Sequence, residues 1–331
     1  MSIGKSIRYY REQKDISQQW LADAIGVSKM TVSNFESDKR YPNVEMVKKI
    51  CKALGITIGK LMSYKEDIEI AEAVFHNSNK LTKAEKNAIL AHVRLNIQMY
   101  HDACVCANTK VDESRLPKEK IPMETDLEEI AAYMREALHL PMSGPVGNLI
   151  QTLESNGVFV AIIKQSAIIR SFSSLAAMTT NGVPIVAVSS ALDRCGQREE
   201  LAHALAYLMF SDVNEQVINN AVRYFLLPSV DITRELGRKR KNLCAKEIRI
   251  IAEKYGVSEQ CVVHRAKEED IISRKWQGNV QNIIVDERKA ESPTRLLQMV
   301  LRAYAEEEIS ISRAAELLQT DSGTTVTILK V

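Results

Sequence analysis

Lys29, Met30, Thr31, Ser33, Asn34 and Ser37 fall within nine residues and are mostly small, polar or basic. Such a set could read DNA. Lys29 can donate to guanine O6 and N7, and Asn34 can pair with adenine or reach a phosphate. Gln18 before the set, Ser28 and Ser37 at its edges, and Lys39 and Arg40 after it could hold the sugar–phosphate backbone, which fixes docking without reading sequence. Farther along, His101, Cys104 and Cys106 look like half of a metal site, with no fourth ligand near in sequence. His203 stands with Glu199 and Glu200 one helical turn before it.

The elements that must position the first set can be read from residues 17–40, SQQWLADAIGVSKMTVSNFESDKR. Trp20, Leu21, Ala24 and Ile25 fall on one face of a short helix. Gly26 ends it, and Ser28 can cap a second helix by accepting from its free N–H groups. Val32 and Phe35, three apart, turn that helix toward the first, giving two helices, a glycine turn and a shared apolar wedge. A preceding helix over 2–14 carries Ile3, Ile7 and Tyr10 inward. Asn43 caps a fourth helix with the stripe Val47, Ile50, Cys51 and Leu54, and residues 58–62 close the set.

Residues 1–62 resemble the lambda-repressor-like (XRE-type) DNA-binding domain. The matching residues are Ser17-Gln18, Ala22, Gly26-Val27-Ser28, the run from Val32 to Phe35-Glu36, Pro42, Ala53-Leu54-Gly55 and Leu61. The resemblance implies five helices, with the third docked in the major groove. Proteins of this geometry bind inverted repeats as dimers, with half-sites about one helical turn apart.

Composition sets the bounds. A chain of 331 residues should hold two or three domains, and 45% hydrophobic content allows real cores. Net charge is only +2, which excludes a basic nucleic-acid coat. Residues 1–62, however, hold eleven Lys/Arg against six Asp/Glu, so the phosphate-binding surface belongs there. No run of about 18 apolar residues suggests a membrane span, and MSIGKSIRYYREQ has no signal-peptide core. The six scattered cysteines read as reduced thiols of a cytoplasmic protein.

After residue 63 the pattern changes. Alternating charge over 68–75 and 83–98 reads as two helices, the second with the stripe Ala88, Ile89, Val93 and Ile97, which could pack on a second copy or on a neighbouring domain. Residues 107–123 are polar with two prolines, as in a linker. From 124 onward the chain reads as helices over 127–138 and 146–155, strands over 158–163 and 184–188, and a buried helix over 198–210. A turn of helix-turn-helix type recurs at Gly256-Val257-Ser258, after the basic run Arg238-Lys239-Arg240-Lys241.

From about 124 to about 320 the chain resembles the ImmA/IrrE metallopeptidases. The resemblance rests on EEIAAYMREALHLP (128–141), LIQTLESNGVFVAII (149–163), SFS (171–173), VPIVAVS (183–189), REELAHALAYLMF (198–210), NNAVRYFLLP (219–228) and EEISISRAAELLQ (307–319), all in family order. In that family, two His four apart on a helix and a downstream Glu ligate zinc, and a Glu between the His is the base. Carried onto this sequence, the first His is His203, the base falls on Ala204, the second His on Tyr207 and the downstream Glu on Val217. One neutral imidazole cannot hold zinc against water. A second register, Glu199-Glu200-Leu201-Ala202-His203, keeps a base and two possible ligands, but shifts the flanking Arg198, Leu201, Ala202 and Leu205 off the family pattern. Glu199 and Glu200 otherwise read as the acidic first turn of the helix.

The expectations are therefore a mainly α chain in three parts: a five-helix lambda-repressor-like DNA-binding domain (1–63), a helical linker and candidate dimerisation region (64–123), and an α+β zincin-like pseudo-peptidase domain (124–331). No catalysis, metal or cofactor is expected. The expected partners are an inverted-repeat operator in double-stranded DNA, a second copy of the chain, and a peptide, small molecule or protein acting at the last domain. The expected role is a regulator, most simply a repressor. An antitoxin and a residual zinc endopeptidase acting on a repressor are the alternatives.

Overall fold

A computed structural model of the chain describes residues 3–14, 16–62, 68–109, 113–117, 121–122, 126–211, 214–277 and 290–329. The chain forms two compact units, residues 1–68 and 69–331. It is mainly helical, with a small mixed sheet in the second unit. No helix among the described residues is long and apolar enough to cross a membrane.

The first unit is five helices: α1 (Ile3–Gln13), α2 (Gln18–Ile25), α3 (Lys29–Glu36), α4 (Val44–Leu54) and α5 (Ile58–Met62). Each turn is set by local chemistry. The Ser17 hydroxyl accepts from the Trp20 N–H at 3.0 Å, and the Asn43 side chain accepts from that of Met46 at 2.9 Å. Gly26 ends α2 at φ 76°, a left-handed position where a Cβ is costly. Ile7, Leu21, Ile25, Val32, Phe35, Ile50 and Leu54 form the core. Trp20 and Ala24 do not join it as the apolar pattern suggests: Trp20 is 50% exposed and Ala24 is exposed, while Ala22 is buried. One residue step is about 100° around a helix, so with Leu21 and Ile25 inward their predecessors are turned toward solvent.

The second unit begins at the sheet. Its strands are β1 (Ile70–Phe75), β3 (Phe159–Ile163), β4 (Ser174–Thr179) and β5 (Pro184–Ser189), in the order β1-β4-β5-β3; a short parallel pair joins β2 (Ile121–Pro122) to β6 (Phe210–Ser211). β3 runs parallel to β5, β4 antiparallel to β5, and β1 antiparallel to β4. Around the sheet lie α6 (Lys83–Cys106), α7 (Leu127–Ala137), α8 (Leu149–Ser155), α9 (Arg194–Met209), α10 (Glu215–Leu226), α11 (Ser229–Leu236), α12 (Ala245–Tyr255), α13 (Glu259–Glu268), α14 (Arg295–Ala305), α15 (Ile311–Leu318) and α16 (Ser322–Leu329). α9 packs against β4 and β5.

One sequence expectation is corrected here, and one of two open readings is met. Residues 70–75 are a strand, not a helix. Their β-branched Ile70 and Val74 and aromatic Phe75 suit a pleat, and the open edge of β4 supplies the partner that sequence alone cannot reveal. The stripe on α6 is also accounted for within its own unit: Ile89, Val93 and Ile97 are buried, and α6 packs on α14 and β3. The stretch expected as a connector thus contributes β1 and α6 to the second unit, and within residues 107–123, Leu116 joins its core.

One fully buried guanidinium ties distant parts of this unit together. Arg198 on α9 donates from Nε to the Gly256 carbonyl at 3.1 Å. Its other nitrogens reach the carbonyls of Gly147 at 2.6 Å and Val146 at 2.8 Å, and Glu291 Oε1 at 2.6 Å. Glu291 Oε2 accepts from the Ile150 N–H at 3.0 Å, and Gln197 exchanges two hydrogen bonds with the Glu291 backbone. A Cβ on Gly256, at φ 65°, would lie 2.7 Å from Arg198 Nε, so both the turn and the guanidinium require glycine there. Removing one partner of a buried pair leaves an uncompensated charge. Glu291→Ala is therefore expected to destabilise the protein by about 3–5 kcal/mol in denaturant melts, and a loss well under 1 kcal/mol would contradict this role.

Candidate functional site

The candidate DNA-reading face is α3. Lys29 and Met30 are exposed, Thr31, Ser33 and Asn34 half-exposed, and Ser37, Lys39 and Arg40 exposed. Part of this set is engaged with its own backbone. The Ser28 hydroxyl accepts from the Thr31 N–H at 3.2 Å and shares a hydrogen bond with Thr31 Oγ1 at 2.9 Å. Ser37 Oγ donates to the Ser33 carbonyl at 2.8 Å, and the Arg40 N–H donates to that of Asn34 at 3.1 Å. The Lys29 ammonium and the Asn34 side-chain amide make no hydrogen bond among the described residues, so α3 offers both to solvent, with Lys39 and Arg40 following in the chain.

An ionic lock that residue spacing does not reveal orients that face. Arg11 on α1 grips Glu36, the last residue of α3, through Nε at 2.6 Å and a terminal nitrogen at 3.1 Å, a bidentate pair. Gln18, at the start of α2, donates to Glu36 Oε2 at 2.7 Å. Both partners of the pair are buried. Gln18 therefore has a positioning contact with its amide nitrogen and keeps its carbonyl oxygen as an acceptor.

In the second unit the four carried-over zinc positions lie in or against the core. His203, Ala204 and Tyr207 are 3%, 1% and 7% exposed, and Val217 is half-buried against the same cluster. Ala204 belongs to the packed core and does not line an open cleft. His203 is covered by His76, which follows β1: the rings stack with centroids 4.6 Å apart and planes 16° apart, and Tyr207 lies 6.4 Å from His76. His76 Nδ1 donates to Glu200 at 2.8 Å, and Ser174 Oγ donates to the same carboxylate at 2.5 Å. α9 starts at Arg194, capped by Asp193, so Glu199 and Glu200 lie beyond its first turn and the helix dipole does not explain them. His76 was not foreseen because only strand pairing brings it to α9.

This donor set does not fit zinc. Ala204 and Val217 offer no donor atom, and among the described residues no three His, Cys, Asp or Glu side chains are grouped to hold a metal ion. Glu200 is already engaged by His76 and Ser174. Cys104, expected near His101 and Cys106 as a partial metal site, is buried on α6, and burial raises its thiol.

The cluster shifts its two histidines in opposite directions. The hydrogen bond to Glu200 outweighs burial and raises His76 above the ordinary 6.5. Burial alone would raise Glu200, but the His76 and Ser174 hydrogen bonds outweigh it and hold the carboxyl low. Burial pulls His203 down to about 4 and pushes Tyr207 up to about 12. His203 Nδ1 is buried with no hydrogen-bond partner among the described residues, in keeping with a neutral ring.

The signs follow from linkage. His76 contributes stability that is full below pH 6.5 and lost as pH rises through its raised folded value. Glu200 contributes stability present above pH 4.5 and lost below it. His203 contributes stability present above pH 6.5 and lost as pH falls toward about 4. In an NMR titration His76 is expected to titrate above 6.5 and His203 near 4, and Glu200→Gln is expected to lower the His76 midpoint; His203 titrating above His76 would reverse the assignment.

A helix-turn-helix family model matches residues 7–61. Over 83 residues, 25% of the chain, the sequence is 36% identical to the HTH-type transcriptional activator BcrR of Enterococcus faecalis, and the match spans 40% of that protein. It is 37% identical over 64 residues to the cryptic phage CTXphi transcriptional repressor RstR of Vibrio cholerae, spanning 19% of this chain and 58% of that one. It is 33% identical over 61 residues to an uncharacterized HTH-type transcriptional regulator of Methanocaldococcus jannaschii, spanning 18% of this chain and 92% of that one. A five-helix unit with an exposed polar third helix, matched over nearly the whole length of such a regulator, establishes that the chain belongs to the helix-turn-helix family of transcriptional regulators.

Proposed function

We propose that the chain is a sequence-specific repressor that binds an inverted-repeat operator as a homodimer in the cytoplasm. Its second unit would be a zincin-like, ImmA/IrrE-type pseudo-peptidase that senses a peptide, small molecule or protein. The observation that carries the DNA-reading half is the exposed face of α3, with Lys29 and Asn34 presented beside Lys39 and Arg40 and the helix locked through Arg11, Glu36 and Gln18. Lys29 and Asn34 read base edges, and Gln18, Ser28, Ser37, Lys39 and Arg40 hold phosphates. Met30, Thr31 and Ser33 complete the groove-facing surface. One relative is named an activator and another a repressor; repression is the simpler device, since an occupied operator needs no further contact.

The sensing half is supported by the motif order of residues 124–320 and by a buried framework kept around a site that has lost its zinc donors. A residual zinc endopeptidase would need ligands that Ala204, Tyr207 and Val217 cannot provide.

The purified chain is expected to shift a short inverted repeat selected from genomic fragments, and removal of residues 1–62 should abolish the shift. Lys29→Ala should weaken binding to the cognate site by about 1–3 kcal/mol and relax specificity at one base pair. Equal affinity for cognate and scrambled DNA at physiological salt would refute sequence-specific reading.

A further inference from the structure

β1 is the one strand of the main sheet with no buried residue. Residues 70–75 are half-exposed or exposed, whereas β5 is buried throughout and β4 nearly so. β1 comes from a stretch about a hundred residues earlier than the strand it joins, and its pairing with β4 is irregular between Ile70 and Glu72. The Thr180 N–H donates to the Glu69 carbonyl at 2.9 Å at that end, and side chains add to the backbone anchor at the other. The His76 N–H donates to the Ser174 carbonyl at 3.1 Å, and the buried His76 ring holds Glu200 and covers His203. Lifting the strand would open the N–H and C=O row of β4, strip Glu200 of its imidazole hydrogen-bond partner and uncover the unpartnered His203 Nδ1 and the Tyr207 ring.

These features define what could replace β1. The edge of β4 takes any extended backbone through main-chain hydrogen bonds, and Glu200 at its end selects a cationic side chain in the position of His76. We infer that the outer edge of β4, with Glu200, His203 and Tyr207, is a binding site for an extended polypeptide bearing one basic side chain, and that residues 70–76 occupy it in cis. This inference rests on the sensing role proposed above for its consequence, because β1 is also the first element of the second unit after α5. When β1 is held, the second unit is fixed from Ile70; when it is displaced, the next structured residues are the short turn Ser78–Lys80 and the buried Leu81 before α6. About eight residues, 70–77, join the tether, which changes the reach over which a dimer presents its two reading helices.

The competing strand is intramolecular and so at high effective concentration, which makes the full-length His76→Ala chain the more receptive host. The probe is a labelled synthetic peptide copying residues 69–77, EIAEAVFHN, and a second peptide carrying the His76→Ala change. The histidine peptide is expected to bind the His76→Ala chain at least tenfold more tightly than the alanine peptide does. Binding should raise hydrogen exchange at residues 70–76 while β5 stays protected. Full-length Val74→Pro, which cannot donate to the ladder, serves as host if His76→Ala does not fold. Absence of binding to either host, or binding that leaves residues 70–76 protected, would overturn the site. Peptide exchange with a threefold or larger change in operator affinity supports both the site and the sensing role. Exchange with unchanged operator affinity supports the site and counts against the sensing role alone.

Discussion

The second unit depends on finding a place for the Arg198 guanidinium out of water. A buried cation of this size is tolerated only when its donors are used, and the surrounding chain is arranged to use them. The loop before α8 turns two carbonyls inward, the turn between α12 and α13 lends a third, and Glu291 brings a carboxylate just ahead of α14. Burial pulls Arg198 below the ordinary arginine value, while Glu291 opposes the shift. Three regions distant in sequence are thereby fixed to α9, the helix that also carries Glu200 and His203.

With α9 fixed, the cluster above it follows. Glu200 needs a cation and finds His76, which only strand pairing can deliver. His203, turned into the core next to a charged neighbour, stays neutral and supports a flat stack. The result combines a buried floor of β4, β5 and α9 with a solvent-facing edge strand. That contrast in burial makes local opening at the edge cheaper than opening of the core.

The first unit applies the same physics on a smaller scale. Its core draws apolar side chains from all five helices, and the Arg11–Glu36 pair ties the last residue of α3 to α1. Because Gln18 shares Glu36, the start of α2 and the end of α3 are fixed relative to each other. Surface side chains on α3 can then vary without disturbing how the helix is held.

What the sequence by itself determined was whatever depends on near neighbours. Ser17, Gly26, Ser28 and Asn43 act within four residues of themselves, so the five helices of the first unit and their turns were legible, as were β3, β5 and most of α9. The outward identity of Lys29 and Asn34 followed from the same helical period. Tertiary structure alone decided what depends on partners far along the chain. Residues 70–75 carry only a weak local preference for a strand, and β4 supplies the deciding partner about a hundred residues later. The inward turn of Ala22 rather than Ala24, the pairing of Arg11 with Glu36, the burial of Ala204 and the seating of His76 on Glu200 belong to the same class. Side-chain period identifies a face, but long-range packing and the cost of leaving a buried charge alone choose what that face meets.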